Sequence, residues 1–356
     1  MPLSATRRTF AAGLAAFAGA AFAAPTGERI RVAMIGTGHG HAASKIKALR
    51  VLPEYDFVGI CRPDKDEPSD GELFRGVRWM SLEEVLADKT IELVAVESLP
   101  GRNLAYAQKC VQAGKFVHLD KPPGADLPAL TAMLAEAATR KRTVQMGYQW
   151  RYHPGMQAAI EAAKKGWLGP MHRVRLSIDK SIGAEDRREL ARFRGGVLFS
   201  EGCHLVDRAV TLLGKPLKTT GFLRHESPLQ DGLADNTLAV FEYPRTLVEI
   251  SVASFQPNGG KYRRLEIVGS NGLALVQPYA PLRLMIDLKE PAGPYRAGEQ
   301  QIQLTEPPGP TYAPDFQEMA RIIRQGAKPS YSPQHDLITH EALLRACGML
   351  TETEKP

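Results

Sequence analysis

The sequence predicts an α/β domain built on a doubly wound parallel sheet. An α+β domain follows, with an open, mainly antiparallel sheet and flanking helices. Three observations predict this. Between Ile30 and Met146 short apolar runs alternate with helix-length stretches, the pattern of parallel strands covered on both faces. The first of these runs ends in a glycine turn, Gly36-Thr37-Gly38. From Arg173 onward the apolar runs are short, β-branched and bounded by turn residues, with little helix between them.

At 356 residues the chain is long enough for two domains, each with its own core. Apolar residues at 44% and charged residues at 24% are the proportions of an ordinary soluble globular protein. At the start, Thr6-Arg7-Arg8-Thr9-Phe10 precedes an uncharged, alanine-rich run from Ala11 to Ala23. Ala21-Phe22-Ala23 then has the small-x-small form of a signal-peptidase site. This predicts a twin-arginine export signal over residues 1–23, in a run too short for a membrane span. The expected partner is the twin-arginine export machinery, and the expected location is periplasmic or otherwise exported.

Removing the signal takes away Arg7 and Arg8 and no acid, so the net charge of +6 falls by two. The remaining basic pairs, Lys164-Lys165 and Arg187-Arg188, are isolated, and nucleic acid is not implied. Cys61, Cys110, Cys203 and Cys347 show no metal-ligand spacing, and no metal site is expected. An exported compartment permits a disulfide, yet all four sit inside apolar patterns that favour buried free thiols.

The elements of a first domain over residues 29–150 follow in order. Strands are expected at Ile30–Ile35, Phe57–Cys61, Ile91–Val96, Phe116–Leu119 and Thr143–Met146. Helices are expected at Ala42–Leu49, Leu82–Ala87, Asn103–Ala113 and Leu127–Ala138. In a second domain over 151–350, strands are expected at Arg173–Ile178, Thr237–Tyr243, Leu247–Ser254, Arg264–Val268, Leu273–Val276 and Leu282–Ile286. Helices are expected there at Ser200–Leu213, Asp315–Arg324 and Leu337–Cys347.

Three strand ends carry chemistry. The first runs into Gly36-Thr37-Gly38-His39-Gly40-His41, where two glycines allow a tight turn and close approach of the backbone to a pyrophosphate. His41 stands where a third glycine is usual. The second ends in Arg62-Pro63-Asp64, where an acid for the adenosine ribose is usual. Arg62 suits a 2′-phosphate and tilts the expectation mildly towards NADP over NAD. Asp64 can still reach a ribose, and an exposed arginine in a turn would look the same. The Phe116–Leu119 strand ends in Asp120-Lys121-Pro122-Pro123, putting a lysine at the carboxyl edge of the sheet, where ligands bind. Pro122 keeps Lys121 out of helical geometry. Alone, such a lysine reads first as one that solvates its own strand end, because exposed lysines are the rule.

Together these residues resemble the Gfo/Idh/MocA family of sugar-type oxidoreductases. The resemblance rests on the glycine loop, Gly114-Lys115 to Pro122, Gly147-Tyr148-Gln149-Trp150-Arg151, Gly195-Gly196 to Asp207, and Ile267, Gly269 and Gly272. It covers nearly all of the chain after the export signal. It implies an N-terminal Rossmann domain and a C-terminal open sheet through which members often form homo-oligomers. Asp120-Lys121-Pro122 matches the family's Glu-Lys-Pro, which places Lys121 at the nicotinamide and the sugar hydroxyl. A lysine moves protons well when burial or a neighbouring cation lowers its pKa.

The family's second motif reads here Gly195-Gly196-Val197-Leu198-Phe199-Ser200-Glu201-Gly202-Cys203-His204-Leu205-Val206-Asp207. His204 and Asp207 match, while Ser200 takes the usual carboxylate position and the acid moves to Glu201. On one helix Ser200, His204 and Asp207 share a face. The family's Thr-Pro-x-x-x-His stretch corresponds to Ser98 to Asn103, preceded by a further carboxylate at Glu97. The resemblance thus implies Lys121, His204 and Glu201 as catalytic residues. Gly36, Thr37, Gly38, His39, Arg62, Ser98, Asn103, Asp120, Lys121 and Pro122 are implied at the cofactor, and Tyr148, Trp150, Arg151, Ser200 and Asp207 at the substrate. Trp150 reads equally as a sugar-stacking face and as packing at the domain junction.

Outside the inner membrane no pool of free dinucleotide is expected. The twin-arginine route carries folded proteins, so NAD or NADP would travel tightly bound. The expectation is an exported NAD(P)-dependent oxidoreductase acting on a small carbohydrate or polyol hydroxyl, with no membrane span in its mature form. One alternative is an NAD-dependent glycoside hydrolase that works by transient oxidation and elimination. The other is a sugar-binding protein without turnover.

Overall fold

The computed structural model describes residues 27–350, and the export signal read over residues 1–23 lies outside the described residues. The first layer is a six-stranded parallel sheet of β1 (Ile30–Ile35), β2 (Tyr55–Cys61), β3 (Trp79–Met80), β4 (Leu93–Val96), β5 (Phe116–Leu119) and β6 (Val144–Met146). Helices α1 (Ala42–Val51), α2 (Leu82–Ala87), α3 (Pro100–Gln112) and α4 (Leu127–Thr139) alternate with the strands. The strand order β3-β2-β1-β4-β5-β6 reverses between β1 and β4, which opens a crevice at their carboxyl ends. There Gly36 adopts φ +86°, and a Cβ on it would stand 2.5 Å from the Ser98 backbone nitrogen. Only glycine lets these two loops meet.

The second layer begins with α5 (Pro154–Lys164), β7 (Met171–Asp179), α6 (Ala184–Leu190), α7 (Gly196–Ser200) and α8 (Gly202–Leu213). It continues through β8 (Lys218–Arg224), β9 (Asn236–Glu242), β10 (Leu247–Ala253), β11 (Arg264–Gly269), β12 (Gly272–Val276), β13 (Leu284–Leu288) and β14 (Gly298–Ile302). Its eight strands lie in the order β14-β13-β12-β11-β7-β10-β9-β8, antiparallel except where β7 pairs with β10. Two helices close the described chain, α9 (Ala313–Gln325) and α10 (Pro333–Ala346). Among the described residues no helix is long and apolar enough to cross a membrane. All four cysteines are buried and free.

The apolar alternation of β1 decides what each face of the first sheet meets. Ile30, Val32 and Met34 join Ile46 and Leu49 of α1 in one core cluster, with Phe316 and Met319 of α9. Ala33 and Ile35 join the other cluster, which runs through α3 and α4 and on into the second layer. Residues 313–325, read from sequence as part of the second domain, thus complete the first. The Tyr55 hydroxyl donates to the Phe316 carbonyl at 2.5 Å, and Arg324 pairs with Glu92 at 2.6 Å.

Several elements depart from expectation. The helix expected over Ser200–Leu213 is broken at Glu201 into α7 and α8, so Ser200 does not share a helix with His204 and Asp207. α5 begins at a Pro-Gly pair that reads as a turn; Pro154 sits at its first position and the His153 ring accepts the Met156 N–H at 3.2 Å. β8 and β14 are polar edge strands, which carry no apolar alternation to detect.

Candidate functional site

β5 delivers Asp120 and Lys121 to the crevice, both fully enclosed. The Lys121 backbone N–H donates to Asp120 Oδ1 at 2.7 Å, and Lys121 Nζ donates to the Ser200 carbonyl at 3.0 Å. The break between α7 and α8 frees that carbonyl, because a helix leaves its last carbonyls without internal partners. Burial pushes the Lys121 ammonium towards losing its proton. The carboxylates of Glu201 and, more weakly, Asp120 outweigh burial and hold its pKa above the ordinary lysine value. Lys121 is therefore a cation that donates, where a lowered pKa was the requirement for easy proton removal.

Glu201 does not stand alone. Lys180, at the end of β7, reaches its Oε1 at 2.8 Å. Burial raises the Glu201 pKa, but Lys121 and Lys180 draw it well below the carboxylate range. A cavity of about 510 Å³ opens beside Lys180, lined by Phe255, Gln256, Asn258 and Lys261 among others.

His204 is buried against Trp150, with ring centroids 5.9 Å apart and planes at 17°, and edge-on to Tyr148 at 5.9 Å. Burial, reinforced by Lys121, holds its pKa well below the usual histidine value, so the ring is neutral. Its Nδ1 is buried without a protein partner. Trp150 also stacks with Tyr279 at 4.8 Å and is 2% exposed, which makes it packing at the junction of the layers.

Arg151 and Asp207, expected at the substrate, are committed to each other. Arg151 Nη2 donates to Asp207 Oδ1 at 2.7 Å and to Asp336 Oδ1 at 2.5 Å. His335 Nε2 reaches the same Asp207 oxygen at 3.0 Å, and Arg208 donates to the other at 3.0 Å through Nε. Ser200 contributes its carbonyl to Lys121, while its hydroxyl faces Glu201 at 3.3 Å.

Behind Asp120 lies a charge cluster of His39, His41, Lys45 and Glu97, of which only Lys45 carries no signal in the sequence. Lys45 of α1 has no exposed side-chain surface and lies 2.6 Å from Glu97 and 3.3 Å from Asp120. His39 and His41 bring Nδ1 to 2.7 and 3.1 Å from Asp120 Oδ2. Burial would raise the Asp120 pKa, but His39, Lys45 and His41 together draw it well down. Burial and Asp120 push the Glu97 carboxyl up, against the pull of Lys45. Burial lowers His41 to about 3 despite Asp120. His39, His41 and Asp120 have the donor set for a cation, as do Asp207, His335 and Asp336. In each set a fixed cation, Lys45 or Arg151, already neutralises the carboxylates.

The loops after β1 and β4 meet at the switch point. Gly36, Thr37, Gly38 and Ser98 form one turn-on-turn contact. Asn103, in the first turns of α3, is 0% exposed, and neither its Nδ2 nor its Oδ1 has a protein partner. A buried amide left open at both atoms fits a ligand that both donates and accepts. The turn, Ser98 and Asn103 are the residues that would hold a dinucleotide. Arg62, expected at a 2′-phosphate, instead donates to the Glu67 carbonyl at 2.8 Å. Pro122 is buried after Lys121.

Comparison with known proteins agrees with this layout. Residues 30–148 match the profile described as "Oxidoreductase family, NAD-binding Rossmann fold", and residues 156–275 match the GFO/IDH/MocA C-terminal domain. Bovine trans-1,2-dihydrobenzene-1,2-diol dehydrogenase is 24% identical over 306 residues, covering 83% of this chain and 88% of the relative. An oxidoreductase of Schizosaccharomyces pombe is 25% identical over 203 residues, and that match spans 55% of each chain.

Among solved structures, GenD2 from gentamicin A biosynthesis in complex with NAD has a TM-score of 0.74 at 23% identity, covering 90% of this chain and 95% of its own. UDP-N-acetylglucosamine 3-dehydrogenase GnnA from Acidithiobacillus ferrooxidans has a TM-score of 0.72 at 17% identity, covering 91% and 98%. Both likenesses concern the fold. With more than half of its residues matched by the two family profiles, and with a parallel dinucleotide sheet joined to an open antiparallel one, the chain belongs to the Gfo/Idh/MocA family of oxidoreductases.

Proposed function

We propose that the protein is an NAD-dependent oxidoreductase acting on a hydroxyl-bearing carbon of a small sugar or polyol. Lys121 carries the reading. It is a buried ammonium at the carboxyl edge of β5, with one proton given to the Ser200 carbonyl and two left for a ligand oxygen. The nicotinamide, when bound, supplies hydride exchange with the substrate carbon. Lys121 hydrogen-bonds the substrate oxygen and stabilises the negative charge that develops on it. In the reducing direction it also gives that oxygen a proton. Glu201 keeps Lys121 protonated, and Lys180 keeps Glu201 ionised. Neutral His204 orients the substrate through its open Nδ1. The names of the similar proteins, a diol dehydrogenase and a sugar-nucleotide dehydrogenase, support the substrate class.

NAD is favoured over NADP because Asp64, Asp66 and Glu67 surround Arg102 near the end of β2, a setting hostile to a 2′-phosphate. The export signal read at Arg7-Arg8 makes the proposed location periplasmic and the cofactor tightly retained. The open sheet of the second layer is also the proposed face for a homo-oligomer.

The test is to purify the protein from the periplasm and identify any bound dinucleotide by absorbance and mass. A panel of polyols and sugars then follows the reduced nicotinamide. A protein that carries no dinucleotide and binds none refutes the proposal. Release of reducing sugar without net NADH would mark the glycosidase instead. Changing Arg7→Lys together with Arg8→Lys should leave the protein in the cytoplasm, and periplasmic recovery of that variant would refute the location.

A further inference from the structure

The glycine turn after β1 is shaped for a phosphate, and an acid of the chain itself lies against it. Glu67 belongs to the segment between β2 and β3, and its side chain has no solvent exposure. Its Oε2 accepts the Thr37 backbone N–H at 2.7 Å, and its Oε1 accepts from the Ser98 hydroxyl. The same Oε1 lies 3.0 Å from the point where a Cβ on Gly38 would stand. The second glycine of such a turn lets the backbone approach a pyrophosphate. The space that Gly38 keeps clear is therefore held by a carboxylate, which seeks the same N–H and O–H donors as a phosphate does.

The segment is tied down elsewhere too. Thr37 Oγ1 donates to the Pro68 carbonyl at 2.5 Å, and Arg62 donates to the Glu67 carbonyl at 2.8 Å. Arg102 of α3 grips Asp66 with two bonds, at 2.8 and 2.7 Å. Between Cys61 and Trp79 the only regular structure is one 3-10 turn at Glu72–Phe74, so the tie depends on these side chains and not on a sheet or helix.

We infer that residues 62–68 form a strap whose Glu67 carboxylate stands in for the phosphates of the cofactor and must leave before a dinucleotide binds. The inference rests on the dinucleotide reading above and adds what controls access to that site. Closed, the Thr37 N–H and the Ser98 hydroxyl serve Glu67; open, they serve the ligand. Any ligand that binds only the open state has its affinity reduced by the fraction of molecules that are closed.

The test measures NADH and ADP-ribose binding to the full chain, after removal of any co-purifying dinucleotide, for the wild type, Glu67→Gln and Glu67→Ala. The dissociation constant should fall at least tenfold in Glu67→Ala. It should fall by a smaller factor in Glu67→Gln, which keeps the shape and loses the charge. Without ligand, Glu67→Ala should melt below the wild type, because two donors lose their acceptor, and NADH should raise its melting temperature by more. If the alanine variant fails to fold, Glu67→Gln carries the test. Unchanged or weaker binding in the folded variants, with the wild type binding normally, overturns the strap and leaves the cofactor reading standing. Absence of binding in every protein overturns both.

Discussion

Lys45 Nζ and the Asp120 carboxylate stand 3.3 Å apart, and neither side chain has any solvent exposure. Glu97 takes the same ammonium at 2.6 Å. A buried lysine shared by two carboxylates is tolerable only while all three are present, because removing the cation leaves negative charge without compensation. Lys45→Met should therefore lower the unfolding free energy by about 3–5 kcal/mol. Urea titration at neutral pH checks this, and a loss below about 1 kcal/mol would show that the cluster is not a coupled unit.

Lys121 makes one side-chain hydrogen bond to the protein, to the Ser200 carbonyl. Lys121→Ala should leave the fold and NADH binding nearly intact while turnover falls by a factor on the order of 10² to 10⁴. Steady-state rates with the best substrate of the polyol panel measure the loss. Wild-type rates in the variant would refute the assigned role.

Glu201 is the strongest of the charges that raise the Lys121 pKa. Glu201→Gln removes it, so the Lys121 pKa should fall, and the alkaline limb of the kcat/KM profile should move to lower pH. An alkaline limb that stays in place while the rate changes would mean that Lys121 does not set it.

Asp315 is wholly buried in the first turn of α9, and neither of its carboxylate oxygens has a protein partner. Burial pushes its pKa up to about 8, despite the nearby Lys45. Between the unfolded value near 3.9 and about 8 the folded state therefore holds more protons than the unfolded one. Its contribution to stability is complete below the lower value and is lost as pH rises towards 8. His41 and His118, each lowered by burial to about 3, act in the opposite sense. The informative quantity is thus the difference between Asp315→Asn and the wild type. That difference should move in favour of the variant as pH rises from 5 to 8, by at most about 1.4 kcal/mol per pH unit. Parallel melting curves across that range would refute the raised pKa.

Much of the fold and part of the site were legible in the residues. The parallel sheet announced itself in apolar runs such as Ile30–Ile35, because strands covered on both faces have little choice of composition. Lys121 was legible because a lysine between a strand end and a proline has few places to go. Lys45 was not. On a helix surface it reads as a solvated charge, and its burial is decided by Glu97, 52 residues away. Lys180 was missed for the same reason, since only the folded chain brings it to Glu201. Glu67 sits among Asp64, Lys65, Asp66 and Pro68, a composition that reads as a solvent-exposed turn. Arg151 and Asp207 show the opposite failure. Their motif drew attention to them, and the buried partners Asp336 and His335, far along the chain, engage them in a structural network.

The return of α9 to the first sheet has a consequence for the order of synthesis. Ile30, Val32 and Met34 are among the first described residues to leave the ribosome, yet Phe316 and Met319, which cover them, are among the last. A nascent chain stopped anywhere before α9 carries a cofactor domain with one apolar face covered by α1 alone, whatever the length already made. The amino-terminal layer is finished last, and a fragment cut at the end of β6 would keep that half-covered face permanently.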